Sequence, residues 1–70
     1  MPILIAPLGV ELKVVKILLD EKTKKHLESL GITINSIITV LSKQNGSTIC
    51  QVKESRLALD SEISKRILVA

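Results

Sequence analysis

The chain has 70 residues, 46% of them hydrophobic, with no Phe, Tyr or Trp and a net charge of +3 from 10 Lys and Arg against 7 Asp and Glu. This length predicts one domain over residues 1–70, and a chain so small buries only about 60% of its unfolded surface, leaving a thin margin of stability. The missing rings exclude the stacking surfaces that read single-stranded nucleic acid and the aromatic grooves that hold proline-rich peptides. Contact with any partner must then be aliphatic, charged or made by the backbone.

The surplus of cations is an ordinary solubility charge that permits an acidic partner without demanding one. Cys50 is the only cysteine; it forms no internal disulfide and has no metal-ligand cluster around it, which fits a reducing compartment and predicts a cytoplasmic protein. The apolar start, Met1 to Val10, is interrupted by Pro2, Pro7 and Gly9. It is too short to span a bilayer and lacks the cationic region of an export signal, so neither membrane insertion nor secretion is expected.

In chain order, Pro7-Leu8-Gly9 marks a turn ahead of the first strand. Glu11 to Leu19, ELKVVKILL, is rich in branched aliphatics and predicts a strand. Lys13 and Lys16 are three apart, which breaks strict alternation. A β-bulge near Val14 and Val15 would put both lysines in water and keep Leu12, Val14 and Ile17 inside. Asp20 to Leu30 predicts a three-turn helix capped by Asp20, with Thr23, Leu27 and Leu30 on one face and a leucine edge docked on a sheet. Gly31 supplies the left-handed residue of a Schellman-type ending, in which Ile32 touches Leu27.

Ser36 to Lys43 and Ser47 to Lys53 predict a hairpin around Gln44-Asn45-Gly46. Asn-Gly ordinarily makes a two-residue turn, but that register opposes Val40 to Gln51 and Ile38 to Lys53. A three-residue loop opposes Val40 to Cys50 and Ile38 to Val52 instead, giving one apolar face, and is preferred on that ground. Arg56 to Leu59 is a further short strand, Asp60 to Ile63 one turn of 3₁₀ helix capped by Asp60, and Ser64 to Val69 the last strand. The expected fold class is mainly β with one helix: a small, partly open SH3-like β-barrel of about five strands.

The order LKVVKIL, then HLESLGI closing a charged helix, then SIITVL and SRLALDSEISKRILV resembles the FeoA family of small cytosolic ferrous iron transport proteins. The resemblance runs from about Leu8 to Val69. Its most specific pieces are Leu27-x-x-Leu30-Gly31-Ile32 and Arg56-Leu57-Ala58-Leu59 followed by Ile67-Leu68-Val69. Two departures stand out. Ile34-Asn35 replaces a common Pro-Gly, and Glu54-Ser55 stands where the family often has glycine before its RLAL strand. The resemblance implies a non-enzymatic accessory protein that contacts a FeoB-type membrane GTPase transporter. The same barrel closes iron-dependent repressors of the DtxR type after a helix-turn-helix and a dimerisation region, neither of which is read in this sequence.

No phosphate-cradling loop, nucleophile–base pair or carboxylate pair supports catalysis. His26 and Glu28 point apart on the helix, so no metal site, catalytic residue or cofactor is expected, and Cys50 reads as a small core residue. Lys22, Lys24 and Lys25, with Arg56 or Arg66, form a basic patch open to two readings. One is a solvated face with Glu21–Lys25 and Lys24–Glu28 pairs; the other is an electrostatic docking face for an acidic partner. Ile37, Leu41 and Ile49, on the outer hairpin face, would favour a homo-oligomer or partner contact if left open. The alternative class is a small-barrel nucleic-acid-binding module, compatible with the basic balance but disfavoured by the missing aromatics.

Overall fold

The computed structural model describes all 70 residues, Met1–Ala70. Five antiparallel strands, β1 (Glu11–Ile17), β2 (Ile37–Gln44), β3 (Ser47–Val52), β4 (Ser55–Leu59) and β5 (Ile67–Val69), form one sheet in the order β4-β3-β2-β1-β5. Helix α1 (Glu21–Ser29) joins β1 to β2, and a single turn, α2 (Ser61–Ser64), joins β4 to β5. The fold is therefore the expected small SH3-like one. The strand ladder stays open, because β4 and β5 are its two edges and do not pair with each other. Curling brings thirteen buried apolar residues into one core, and the extents of 27 × 22 × 21 Å are nearly equal in all directions.

The expected bulge in β1 is present. Val14 pairs with Val69 and Lys16 with Leu68, so Val15 is the extra residue. Leu12 and Val14 are buried, Ile17 is partly buried, and both lysines reach solvent. The β2–β3 hairpin joins two readings that looked exclusive. Ile38 faces Val52 and Val40 faces Cys50, the preferred register, yet the turn is the two-residue Asn45-Gly46 pair, flanked by Gln44 opposite Ser47. Both turn residues have positive φ, 49° and 81°, as a type I′ turn requires. A second bulge, at Leu41 between Val40 and Ser42, shifts the ladder by one. The three-residue loop is thus replaced by a tight turn plus a bulge, with the same apolar face.

Asp20 caps α1 by accepting a hydrogen bond from the Thr23 amide at 3.2 Å. At the other end the Ile32 amide donates to Leu27 O and the Gly31 amide to Glu28 O, both at 2.9 Å, with Gly31 at φ +96°. This is a complete Schellman ending. Leu27 is the one fully buried residue of α1, while Leu30, beyond its last turn, is 37% exposed. The docked leucine edge is therefore narrower than its spacing suggests. Asn35 takes φ +75° where the family commonly has Pro-Gly, so the corner survives. Beside the other departure, Glu54-Ser55, the preceding Lys53 takes the left-handed conformation of the β3–β4 turn, φ +56°, while Glu54 and Ser55 do not.

The segment from Asp60 to Ile63, expected as a 3₁₀ turn, is α-helical as α2, with Asp60 accepting from the Ile63 amide at 2.8 Å. α2 rests on β3 and on a 3₁₀ turn at Ile3–Ile5. Ile3 and Ala6 lie in the core. The start of the chain is tied down by Val69 N–H to Met1 O (2.7 Å), Gly9 N–H to Val40 O (2.8 Å) and Lys43 Nζ to Ala6 O (2.9 Å). It closes the core as a strap.

Candidate functional site

Two grooves mark the surface. The first, about 440 Å³, lies between α1 and the end of β1. Ile17, Ile32 and Ile34 line its apolar part, Lys16 stands on the strand side, and Glu21, Lys24, Lys25 and Glu28 form the helix rim. Those four helix residues are spaced i, i+3, i+4, i+7, which places them on one stripe. The bulge at Val15 explains why Lys16 belongs here. It shifts the β1 alternation by one, so Lys16 stays in solvent after Val14 has turned inward.

Of the expected basic patch, Lys24 and Lys25 line this groove together, joined by Lys16. Lys22 is exposed on α1 but lines neither groove, and Arg56 is exposed on edge strand β4, opposite Gln51. Arg66 is 3.8 Å from Glu62, which Lys65 also approaches at 2.8 Å. The expected i,i+4 pairs do not form; Lys24 pairs with Glu21 at 3.5 Å, one turn back. Lys16, Lys25 and Glu28 have no ion-pair partner. Sequence reading missed Lys16 and Ile34 as site residues, since Lys16 reads only as a solvated strand position and Ile34 only as part of a corner.

The second groove, about 470 Å³, runs beside β1, β2 and β3 and is lined mainly by polar residues, among them Glu11, Asn35, Thr39, Gln51 and Lys53. On the outer hairpin face Ile37 stays 47% exposed, while Leu41 and Ile49 are partly covered.

His26 is exposed on α1, and Ser29 Oγ donates to its backbone carbonyl. No group of three or more His, Cys, Asp or Glu side chains gathers where a metal ion would sit. Cys50 is buried between Val40 and Leu57 on the neighbouring strands. Burial pushes its thiol up to about 11, far from the range of a reactive thiolate. No helix is long and apolar enough to cross a membrane. The surface carries an aliphatic groove edged by charge.

Comparison with known proteins agrees with this fold. Among curated proteins no sequence matches at a significant level. A solved iron uptake regulatory protein (FeoA) is 29% identical, with a TM-score of 0.85 over 99% of this chain and 92% of that one. The iron(II) transport protein A of Clostridium thermocellum superposes with a TM-score of 0.89 at 14% identity, over 99% of this chain and 44% of the other. A manganese-dependent transcriptional repressor shares the fold at 20% identity, TM-score 0.84, over 96% of this chain and 39% of its own. The FeoA domain model matches residues 1–70, from the buried start of the chain to the last strand, and the chain therefore belongs to the FeoA family.

Proposed function

We propose that this chain is a non-enzymatic, cytoplasmic accessory protein of ferrous iron uptake, acting by contact with the cytosolic part of a FeoB-type membrane GTPase transporter. The observation that carries the reading is the FeoA match over every residue. The surface is compatible with it: the first groove is bordered by charge and the second by charge and amide groups, which suits contact with a partner. Lys22, Lys24, Lys25 and Arg56 are the cations offered to the partner, with Lys24 and Lys25 nearest its apolar contact. Such charges act chiefly on association rate and specificity.

The test is co-purification of the chain with the transporter's cytosolic domain at low salt, repeated with Lys24→Glu and Lys25→Glu together. The reading expects capture by the unchanged chain and a weaker, less salt-dependent interaction for the variant. Failure of the unchanged chain to bind the domain sinks the docking role.

The repressor neighbour favours a second reading, a small-barrel nucleic-acid-binding module, although its 20% identity carries the fold alone. Against that reading, no aromatic side chain is available for stacking. Glu21 and Glu28 also sit among the groove lysines, where a phosphate backbone would meet them. A DNA mobility shift that falls steeply with salt would favour this second reading.

A further inference from the structure

The groove beside α1 has a charge order as well as a charge sum, and from it we infer the ligand: an acidic, amphipathic peptide segment of the partner protein. The segment seats an aliphatic side chain on Ile17 and Ile34 and sets its central carboxylates on Lys16 and Lys25. This deepens the docking role proposed above and rests on it.

The apolar contact is held in place before any ligand arrives. Ile34 is 50% exposed, yet its corner is fixed on both sides. The Asn35 amide donates to Val14 O at 2.8 Å, the Thr33 amide to Ser36 Oγ at 2.9 Å, and Ser36 Oγ to Gly31 O at 3.0 Å. Ile32, fully buried, backs it. An exposed isoleucine on a fixed corner loses little backbone freedom on binding, which favours affinity.

The rim then selects the occupant. From Glu21 to Glu28 the stripe rises through seven steps of helix, roughly 10 Å at about 1.5 Å per residue. Glutamates occupy its ends and lysines its middle, with Lys16 facing from the strand. Glu21 and Lys24 are already paired at 3.5 Å, which leaves Lys16 and Lys25 as the unpaired cations. A wholly apolar segment would desolvate these cations with nothing in return. A second copy of this chain is itself +3, the Glu62 carboxylate on α2 is already bound to Lys65 and Arg66, and the free carboxylates Glu11 and Glu54 stand singly with Lys13 and Lys53 close by in the chain, so no segment of it offers paired central carboxylates. A segment of about two helical turns, with carboxylates at its centre and an aliphatic stripe beside them, satisfies both the length and the order.

Amide chemical shifts of the isotope-labelled chain, followed by NMR, provide the test. The probe is a short synthetic peptide with two leucines and two central glutamates, used beside one with lysines for the glutamates and one with serines for the leucines. The expected result is shifts concentrated at residues 16–17, 24–25 and 32–34 for the acidic peptide, with affinity at least about tenfold weaker for either control. Lys16→Glu with Lys25→Glu, and separately Ile34→Ser, should each cost a similar factor; these sites are exposed, so the variants' spectra confirm folding. Equal binding of the lysine peptide, shifts centred elsewhere, or tighter binding of an oligothymidylate to the same amides would overturn the assignment. Peptide binding at the groove without capture of the transporter's cytosolic domain removes that partner and leaves the acidic-segment site standing. Capture of the domain undiminished by the groove variants leaves the docking role and overturns the groove.

Discussion

Replacing Gly31 with alanine strains the chain in two separable ways at the joint that sets α1 against the sheet. The first is backbone conformation. A φ of +96° is rarely adopted by residues with a Cβ, and holding one there costs about 1–3 kcal/mol. The second is space. A Cβ at Gly31 would lie 3.2 Å from Cγ1 of Val52, a β-branched strand residue only 2% exposed and stiff about χ1. Crowding of this kind adds on the order of 1 kcal/mol or more. Gly46→Ala is the matched control, because its φ is +81° but a Cβ there meets nothing within 4 Å. Gly31→Ala should therefore be less stable than Gly46→Ala by on the order of 1 kcal/mol, a difference of about 4–8 °C in Tm for a domain of this size. Far-UV circular dichroism is the assay, since the chain has no Trp or Tyr to report by fluorescence. If Gly31→Ala melts at or above Gly46→Ala, Val52 yields freely and the joint beneath the groove is not tightly packed.

Thr48 is fully buried on β3 and its Oγ1 has no hydrogen-bond partner. Thr48→Val keeps the shape and removes the unpaired hydroxyl, so it should stabilise by about 1–2 kcal/mol in urea titration; a loss of stability would reveal a partner for the hydroxyl. Cys50 should resist thiol reagents at pH 8 in the folded chain and react at once in urea, whereas fast native labelling would contradict its burial. Its folded thiol binds its proton more tightly than the unfolded one, so stability should also fall as pH rises from about 9.0 towards 11. In acid the sign reverses. The Thr23 hydroxyl beside it, and then the Thr23 amide that donates to it at 3.2 Å, hold the Asp20 carboxyl below its ordinary value, and Lys65 holds Glu62 low by hydrogen bonding and charge. That stability is complete above the ordinary carboxylate range and is lost as pH falls through the lowered folded values. Asp20→Asn keeps the cap but not the titration. Its acid unfolding profile should be flatter, and an identical profile would show that the cap charge contributes nothing.

The elements were legible because each is set by short-range chemistry. Asp20 and Gly31 bracket α1 at the positions where a carboxylate cap and a left-handed residue belong, and the structure shows the bonds that make them so. The unequal spacing of Lys13 and Lys16 revealed the β1 bulge because only an extra residue puts both in solvent with Val14 buried. The hairpin was legible in part. Apolar pairing demanded Val40 opposite Cys50 and the Asn-Gly pair demanded a two-residue turn. No local cue shows that Leu41 satisfies both by bulging.

The candidate site was less legible. Lys24 and Lys25 stood out as part of a basic cluster, but nothing about Lys16 or Ile34 in isolation ties them to it. They meet the helix only because the chain turns back through Gly31, Ser36 and Asn35 and fastens to Val14. Arg56, grouped with the same patch by charge alone, stands on an edge strand. The start of the chain carries no clear period and reads as a loose apolar run, yet Ile3 and Ala6 are sealed in the core.

The amino-acid order alone places the five strands, the hairpin turn and α1, with ends that move by up to three residues in the structure (the last strand begins at Ile67, and Ser64 belongs to α2), and it rules out aromatic recognition. These follow from backbone preferences and from side-chain periodicity within a few residues. Only the tertiary structure decides which bulge reconciles turn with register, that the N-terminal strap closes the core, and that a strand lysine joins two helix lysines over an exposed isoleucine. Those outcomes depend on contacts between residues far apart in the chain, where apolar burial and hydrogen-bond satisfaction are shared across elements and no single segment contains the balance.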